Sequence, residues 1–161
     1  TMNNLKKTVQ VLTIGGILPF LLLAVSSILL KEHTESFQSA FSNYSTAIVC
    51  FVAGSQWGLL LKKATLSFIL TQTNLITLIS ICGLFINPLG SNIINIVCFL
   101  WLLYLERILF LNQITAPWYF YLRKNTTITV VLIIFAKILQ VKSCNLLILI
   151  FSHRPHPQPI V

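Results

Sequence analysis

The chain has 161 residues, of which 56% are hydrophobic and 9% charged, and its formal net charge is +8. A soluble domain of this size needs more charged residues on its surface, so the composition indicates an integral membrane protein. Excess positive charge is also typical of nucleic-acid-binding proteins, but here the basic residues occur as pairs beside apolar runs and form no continuous patch. We therefore expect no nucleic-acid partner.

Apolar runs alternate with short polar segments, and each run is close to the roughly 20 residues that a helix needs to cross a bilayer. The sequence therefore predicts an all-α, polytopic integral membrane protein with five transmembrane helices. The predicted spans cover residues 9–30, 44–61, 64–86, 92–111 and 125–141. Residues 1–8 precede this membrane domain (9–141), and residues 142–161 are predicted to form a short basic, proline-containing tail.

The end of the fifth span has two interpretations, because Lys137 and Lys142 interrupt the apolar pattern before a second apolar run at residues 146–151. A helix across the whole region would place Lys137 near mid-bilayer, at a cost of about 2.5–3.5 kcal/mol on insertion scales. A shorter, tilted helix lets both lysines extend outward to the headgroups. We predict the shorter helix, with continuation to residue 151 as the alternative.

The basic residues also predict the orientation of the spans. Three clusters fall on one side of the five-span arrangement: Lys6 with Lys7, Lys62 with Lys63, and Arg107 with Arg123 and Lys124. Basic residues are enriched on the cytosolic side of membrane proteins. The N terminus is therefore predicted to be cytosolic, residues 1–8 included, and the C terminus to lie outside.

Glu106 is the one acidic residue in or beside a predicted span. A carboxylate at such a position is a candidate proton relay or ion ligand. The alternative is a partly hydrated interfacial ion pair that anchors the end of the fourth helix, with Arg107 next to the carboxylate and Arg123 and Lys124 on the same side. We predict the anchoring role, because a relay needs titratable groups at other depths and the third span offers none.

A second candidate group surrounds the segment from Gly54 to Gly58. The two glycines have the spacing that lets membrane helices approach closely, so they predict a packing face, with Trp57 as an interfacial aromatic residue. Gln56 and Trp57, together with Asn74 in the third span, could instead form a small polar pocket near the cytosolic leaflet. Such a pocket would suit a lipid or quinone headgroup.

A third candidate segment, residues 116–124, combines a proline with interleaved aromatic residues and two terminal bases. Trp118, Tyr119 and Arg123 fit a segment at the membrane surface, with rings at headgroup level and cations near phosphate. The alternatives are a general aromatic belt and a docking or lipid-contact site. No catalytic triad, phosphate loop or zinc helix is apparent, so we predict no catalytic residue, metal site or cofactor.

Three segments resemble the domain-of-unknown-function family 3429. They are residues 16–20, which include Pro19, residues 44–58, and residues 118–123 before the last span. The resemblance covers residues 11–140, and Glu106 and Arg107 stand where the family tends to have an acid followed by a base. The family comprises small bacterial inner-membrane proteins and mitochondrial relatives, including transmembrane protein 69. The resemblance therefore implies a multi-pass protein of a bacterial or mitochondrial inner membrane and supplies no reaction.

Two functional hypotheses follow for this uncharacterised membrane protein. The leading hypothesis is a non-enzymatic structural or accessory component of the inner membrane or of a larger membrane complex, whose partners are the lipid bilayer and other membrane proteins. The alternative is a small carrier or channel for a proton or lipid-like substrate that uses Glu106 and the region of Gln56 and Asn74. A membrane enzyme is a third and weaker hypothesis.

Overall fold

The computed structural model describes residues 2–29, 34–60 and 67–152, and these residues form five α-helices with short connections. The helices are α1 (Met2–Leu29), α2 (Thr34–Leu60), α3 (Ser67–Gly83), α4 (Pro88–Leu111) and α5 (Pro117–Ser152). The predicted all-helical fold is confirmed for this part of the chain.

The start of α4 shows how local sequence sets a helix boundary. The Asn87 side chain accepts a hydrogen bond of 2.7 Å from the backbone N–H of Gly90, which would otherwise lack a partner. Pro88 occupies the first turn, where its missing N–H costs nothing. A Cβ at Gly90 would lie 2.9 Å from Cγ2 of Ile86, so a larger residue there would displace the Ile86 side chain. Residues 87–90 thus form the start of α4.

Pro19 lies inside α1 and cannot donate to the carbonyl four residues before it. The Tyr44 hydroxyl donates a hydrogen bond of 2.9 Å to the adjacent carbonyl, that of Gly16. The buried Phe20 ring lies 4.9 Å from the Tyr44 ring and 5.6 Å from the Phe41 ring, centroid to centroid, both in edge-on geometry. The proline-containing part of α1 is therefore attached to α2, which gives Pro19 a packing environment.

Helices α2 and α4 form the centre of the bundle. They pack against each other, with α3 against both on one side, while α1 packs on α2 and α5 packs on α4 and α1. The contacts between side chains show that α1, α3 and α5 run in one direction and α2 and α4 in the other. The core comprises apolar residues such as Val49, Ile76, Leu102, Leu105 and Ile134.

Among the described residues, three helical segments are long and apolar enough to cross a membrane: Lys6–Ser27, Pro88–Leu111 and Pro117–Ser143. Ser67–Gly83 is a shorter apolar helix. Large apolar side chains are exposed on the bundle surface, above all on α1, where they include Val11, Leu18, Leu22 and Leu29. Soluble proteins rarely expose apolar patches of this extent, so the surface is consistent with a membrane protein.

Helix α5 differs from the predicted fifth helix at both ends. It begins at Pro117 instead of residue 125 and continues through residue 141 to Ser152, so residues 142–152, predicted as tail, are helical. Residues 153–161 lie outside the described part of the chain.

The expectation that Lys137 extends outward is also wrong. Its side chain is 4% exposed, and its ammonium group donates to Ser27 Oγ of α1 and to Gln140 Oε1, the latter at 3.3 Å. These two oxygen acceptors provide the ammonium with polar partners inside the bundle. Lys142, in contrast, is exposed.

Candidate functional site

Most of the candidate residues gather at one end of the bundle, where α2 and α4 end and α1, α3 and α5 begin. This is the end predicted to be cytosolic. It brings together an ion pair, a cavity and an aromatic cluster.

The centre of this end is an ion pair between Glu106 of α4 and Arg123 of α5. Arg123 Nε donates to Glu106 Oε1 at 2.8 Å, and the Arg123 and Glu106 side chains are 11% and 7% exposed, respectively. Of the three bases expected near Glu106, Arg123 is its partner and the adjacent Arg107 is not, because adjacent helical residues point about 100° apart. Glu106 faces the bundle interior and Arg107 is exposed. The expectation of a partly hydrated carboxylate is therefore wrong.

Two further residues hold the Arg123 guanidinium in place. Its Nη2 lies 3.5 Å from Ser55 Oγ of α2, and the Ser55 hydroxyl itself donates to the Val52 carbonyl at 2.7 Å. The guanidinium carbon lies 6.0 Å from the centroid of the Tyr119 ring. Arg123 is therefore fixed by contacts to α2, α4 and its own helix.

Arg123 also lines a cavity of about 470 Å³ between α1, α2 and α5. The walls are mostly apolar, and Phe20, Val52, Phe99 and Val130 supply the buried part of them. The remaining lining residues are Val9, Leu12, Thr13, Gly16, Ile17, Ile48, Phe51, Ser55, Tyr119, Thr126 and Thr127.

The mouth of the cavity is on the side of the bundle. Leu12 and Phe51, which belong to its lining, are 70% and 71% exposed. A molecule dissolved in the surrounding hydrocarbon could therefore enter without crossing the bundle.

The cavity contains hydrogen-bond donors near its polar end. Thr127 lies one turn after Arg123 on α5, and its hydroxyl makes no hydrogen bond to any described residue. The hydroxyls of Thr13 and Thr126 donate to carbonyls of their own helices. Arg123 and Thr127 therefore provide donors for a ligand.

Gln56, Trp57 and Asn74, which could form one polar pocket according to the sequence, do not come together in the structure. Gln56 is buried and its Nε2 donates to the Leu102 carbonyl of α4 at 3.3 Å, while its Oε1 has no partner among the described residues. Trp57 Nε1 donates to Thr73 Oγ1 of α3 at 3.0 Å. Asn74 is exposed on α3. These residues do not line the Arg123 cavity, and the first two connect helices.

The expected close packing at Gly54 and Gly58 is not found within the described part of the chain. Both residues are exposed, and a Cβ built at either position meets no atom within 4 Å, apart from its own helix backbone and chain neighbours. Gly54 and Gly58 lie on the same face of α2, as their spacing predicts, but that face points away from the other described helices.

The aromatic segment before the fifth predicted span forms the first turns of α5. Trp118 and Tyr119 contact each other edge-on, with ring centroids 5.8 Å apart. Lys6 Nζ of α1 lies 5.7 Å from the centroid of the Trp118 ring, a cation–π contact between the starts of α1 and α5. Trp118 thus attaches α5 to α1, and Tyr119 lines the cavity.

Sequence reasoning missed Ser55, Thr127 and a buried network around Asn95. Asn95 of α4 accepts a hydrogen bond from Ser80 Oγ of α3 at 2.6 Å and donates to Thr46 Oγ1 of α2 at 3.1 Å. The sequence did contain a signal for Asn95, an amide inside the predicted fourth span, since such a group must find a partner. Nothing comparable distinguishes Ser55 or Thr127.

The model of a family described as "Protein of unknown function (DUF3429)" matches residues 5–139, which is most of the chain. No curated protein and no solved structure matches the chain.

Proposed function

The chain belongs to DUF3429, a family of proteins of unknown function, and we propose that it is a five-span membrane protein that binds one neutral lipid-like molecule beside Arg123. In this proposal it resides in a bacterial or mitochondrial inner membrane and catalyses no reaction. Its role is to bind this molecule. The molecule is then either moved across or within the bilayer, or supplied to a larger membrane complex.

The alternating helix directions support the five-span topology. Lys6, Lys7, Arg107, Arg123 and Lys124 lie at one end of the bundle, as a cytosolic face would require. The proposed orientation is therefore a cytosolic N terminus and an external C terminus.

The ion pair determines which headgroup fits the cavity. Glu106 compensates the charge of Arg123, so the pair attracts anions much less than an isolated arginine would. The guanidinium donors not used by Glu106 can still bind an uncharged oxygen acceptor, and so can the Thr127 hydroxyl. A carbonyl oxygen, as in a quinone ring or an acyl ester, fits this pattern.

The apolar walls determine the rest of the ligand. A volume of about 470 Å³ is within the range of small-molecule sites. It accommodates a headgroup and the first part of a hydrocarbon chain, which can continue past Leu12 and Phe51 into the bilayer. The single observation that carries the proposal is this buried, charge-compensated arginine at the polar end of an apolar cavity.

A structural or accessory role in a larger complex is a second candidate function. It is supported by the outward face of α2, where Ala47, Gly54 and Gly58 are exposed. Small residues let another membrane helix approach closely. Isolation of a stable larger complex in mild detergent would support this role, which is compatible with ligand binding.

Two adjacent glycines of α1 provide a matched test of the cavity. Gly16 lines it and Gly15 does not, and an added Cβ has open space at both positions. Gly16→Phe should fill the cavity, whereas Gly15→Phe adds the same side chain to the outside of α1. The parent and both variants are purified in mild detergent and titrated with a short-chain benzoquinone, a monoacylglycerol and a fatty acid.

We expect the parent and Gly15→Phe to bind a carbonyl amphiphile, and Gly16→Phe to lose at least about tenfold in affinity. The benzoquinone and the monoacylglycerol distinguish a ring carbonyl from an ester. Equal binding by all three proteins, or preference of the parent for the fatty acid, would reject the proposal. Equal melting temperatures of the two variants would show that filling the cavity, not unfolding, caused the loss.

A further inference from the structure

A second groove lies between α4 and α5 at the same end of the bundle, and two unpaired bases line it. It has a volume of about 540 Å³ and is lined by Leu100, Leu103, Tyr104 and Arg107 of α4 and by Phe120, Tyr121 and Lys124 of α5. It shares no lining residue with the Arg123 cavity.

Arg107 and Lys124 bring two uncompensated positive charges to this groove. Both are exposed, and neither forms an ion pair with a described residue. The chain has three acidic residues in total. Glu106 forms an ion pair with Arg123, and Glu35 lies in the first turn of α2 at the opposite end of the bundle. Glu32 is outside the described residues. The groove therefore favours an anion, in contrast to the Arg123 cavity.

The other lining residues place polar groups beside the two bases and apolar groups deeper along the groove. Tyr104 and Tyr121 are largely exposed beside the bases, as aromatic residues at headgroup level are. Leu103 and Leu100 lie four and seven residues before Arg107, which places them about 6 Å and 10 Å deeper along α4. A charged rim thus continues into an apolar wall on one side of the bundle.

We propose that this groove binds one anionic phospholipid, with its phosphate between Arg107 and Lys124 and an acyl chain along Leu103 and Leu100. Basic pockets between membrane helices on the cytosolic side are suited to anionic headgroups. A zwitterionic lipid fits less well because its ammonium group would meet the same two cations. The Leu100 and Leu103 wall has no use for a free phosphate ion, so the occupant is a lipid.

The test measures lipid selectivity of the full chain in detergent micelles with added phosphatidylglycerol or phosphatidylcholine, by native mass spectrometry. The variant is Arg107→Gln with Lys124→Gln. The control, Lys7→Gln with Lys142→Gln, removes two exposed charges from positions outside the groove. Leu103→Asn tests the acyl wall separately.

The parent and the control should retain phosphatidylglycerol in preference to phosphatidylcholine, and the variant should lose about thirtyfold in affinity for phosphatidylglycerol. Leu103→Asn should weaken phosphatidylglycerol binding, and excess inorganic phosphate should not displace the lipid. Equal retention of both lipids by the parent, an unchanged variant, or displacement by phosphate would overturn the proposal. If the variant does not fold, the selectivity of the parent and the Leu103→Asn result still decide it. Binding of quinone or ester in the Arg123 cavity is measured independently and does not depend on this outcome.

Discussion

Glu106 Oε1 lies 2.8 Å from Nε of Arg123, while Arg107, the next residue after Glu106, points away from this pair into the groove beside Lys124. One carboxylate therefore divides the arginines of this end into a neutralised and a free one. The neutralised arginine lines an apolar cavity that suits an uncharged headgroup. The free one lines a groove that suits an anion.

Glu106→Gln should change the ligand preference of the Arg123 cavity. The glutamine carbonyl can still accept from Arg123 Nε, but the positive charge is no longer compensated. We expect the variant to prefer a fatty acid over a monoacylglycerol, measured by competition binding at neutral pH. Glu35→Gln, an exposed acid at the other end of the bundle, is the control. An unchanged preference in Glu106→Gln would mean that the ion pair does not set selectivity.

Arg123→Gln should destabilise the bundle, because it leaves the buried Glu106 carboxylate without its cation. Removing one partner of a buried ion pair costs about 3–5 kcal/mol. The double variant Arg123→Gln with Glu106→Gln should recover much of this loss, since two neutral amides replace the pair. Unfolding free energies measured in mixed micelles test this cycle, and additive effects of the two substitutions would contradict the coupling.

Gly58→Leu should leave the free energy of unfolding within about 0.5 kcal/mol of the parent, as for other exposed positions. A side chain there meets open space, contrary to the packing face expected from the Gly54 and Gly58 spacing. Gly83→Leu is the contrast: a Cβ at this buried position already lies 3.4 Å from Ile94 Cδ1. It should lose roughly 1–3 kcal/mol by overpacking. A strong effect of Gly58→Leu would indicate that another helix covers this face.

Asn95→Leu should destabilise the centre of the bundle by roughly 1–2 kcal/mol. The substitution keeps the approximate size of the side chain but removes the hydrogen bonds to Ser80 and Thr46. Asn74→Leu, on the exposed face of α3, is the control and should have little effect. Thermal unfolding in the same detergent compares the two, and equal stability would show that the Asn95 network contributes nothing.

Reporter fusions test the proposed topology. A reporter active only in the cytosol should be active when fused after residue 63 or residue 124 and inactive after residue 161. The reason is that the basic residues at and beside positions 63 and 124 favour the cytosolic side. Cytosolic activity after residue 161 would contradict a fifth membrane span. Inactivity after residue 124 would contradict the proposed direction of the fourth span.

Sequence alone was enough for the features that depend on local chemistry. The apolar runs predicted five helices because backbone groups in hydrocarbon must be satisfied within the helix. The start of α4 also follows from local sequence, because Asn87 supplies a helix cap and Pro88 a first-turn residue without an N–H. Helix ends were less accurate: α2 begins at Thr34 instead of residue 44, and α5 continues to Ser152, because helices extend beyond their apolar parts.

The tertiary structure decided which residues meet. Glu106 pairs with Arg123, seventeen positions away, and not with its neighbour Arg107, because the helical rotation turns adjacent side chains to different faces. Lys137 points inward because Ser27, on α1, provides an acceptor. The face of Gly54 and Gly58 was correctly placed on α2, but its direction depends on where α1, α3 and α4 pack. Spacing along one chain segment determines a helix face, whereas the partner of that face depends on residues distant in sequence.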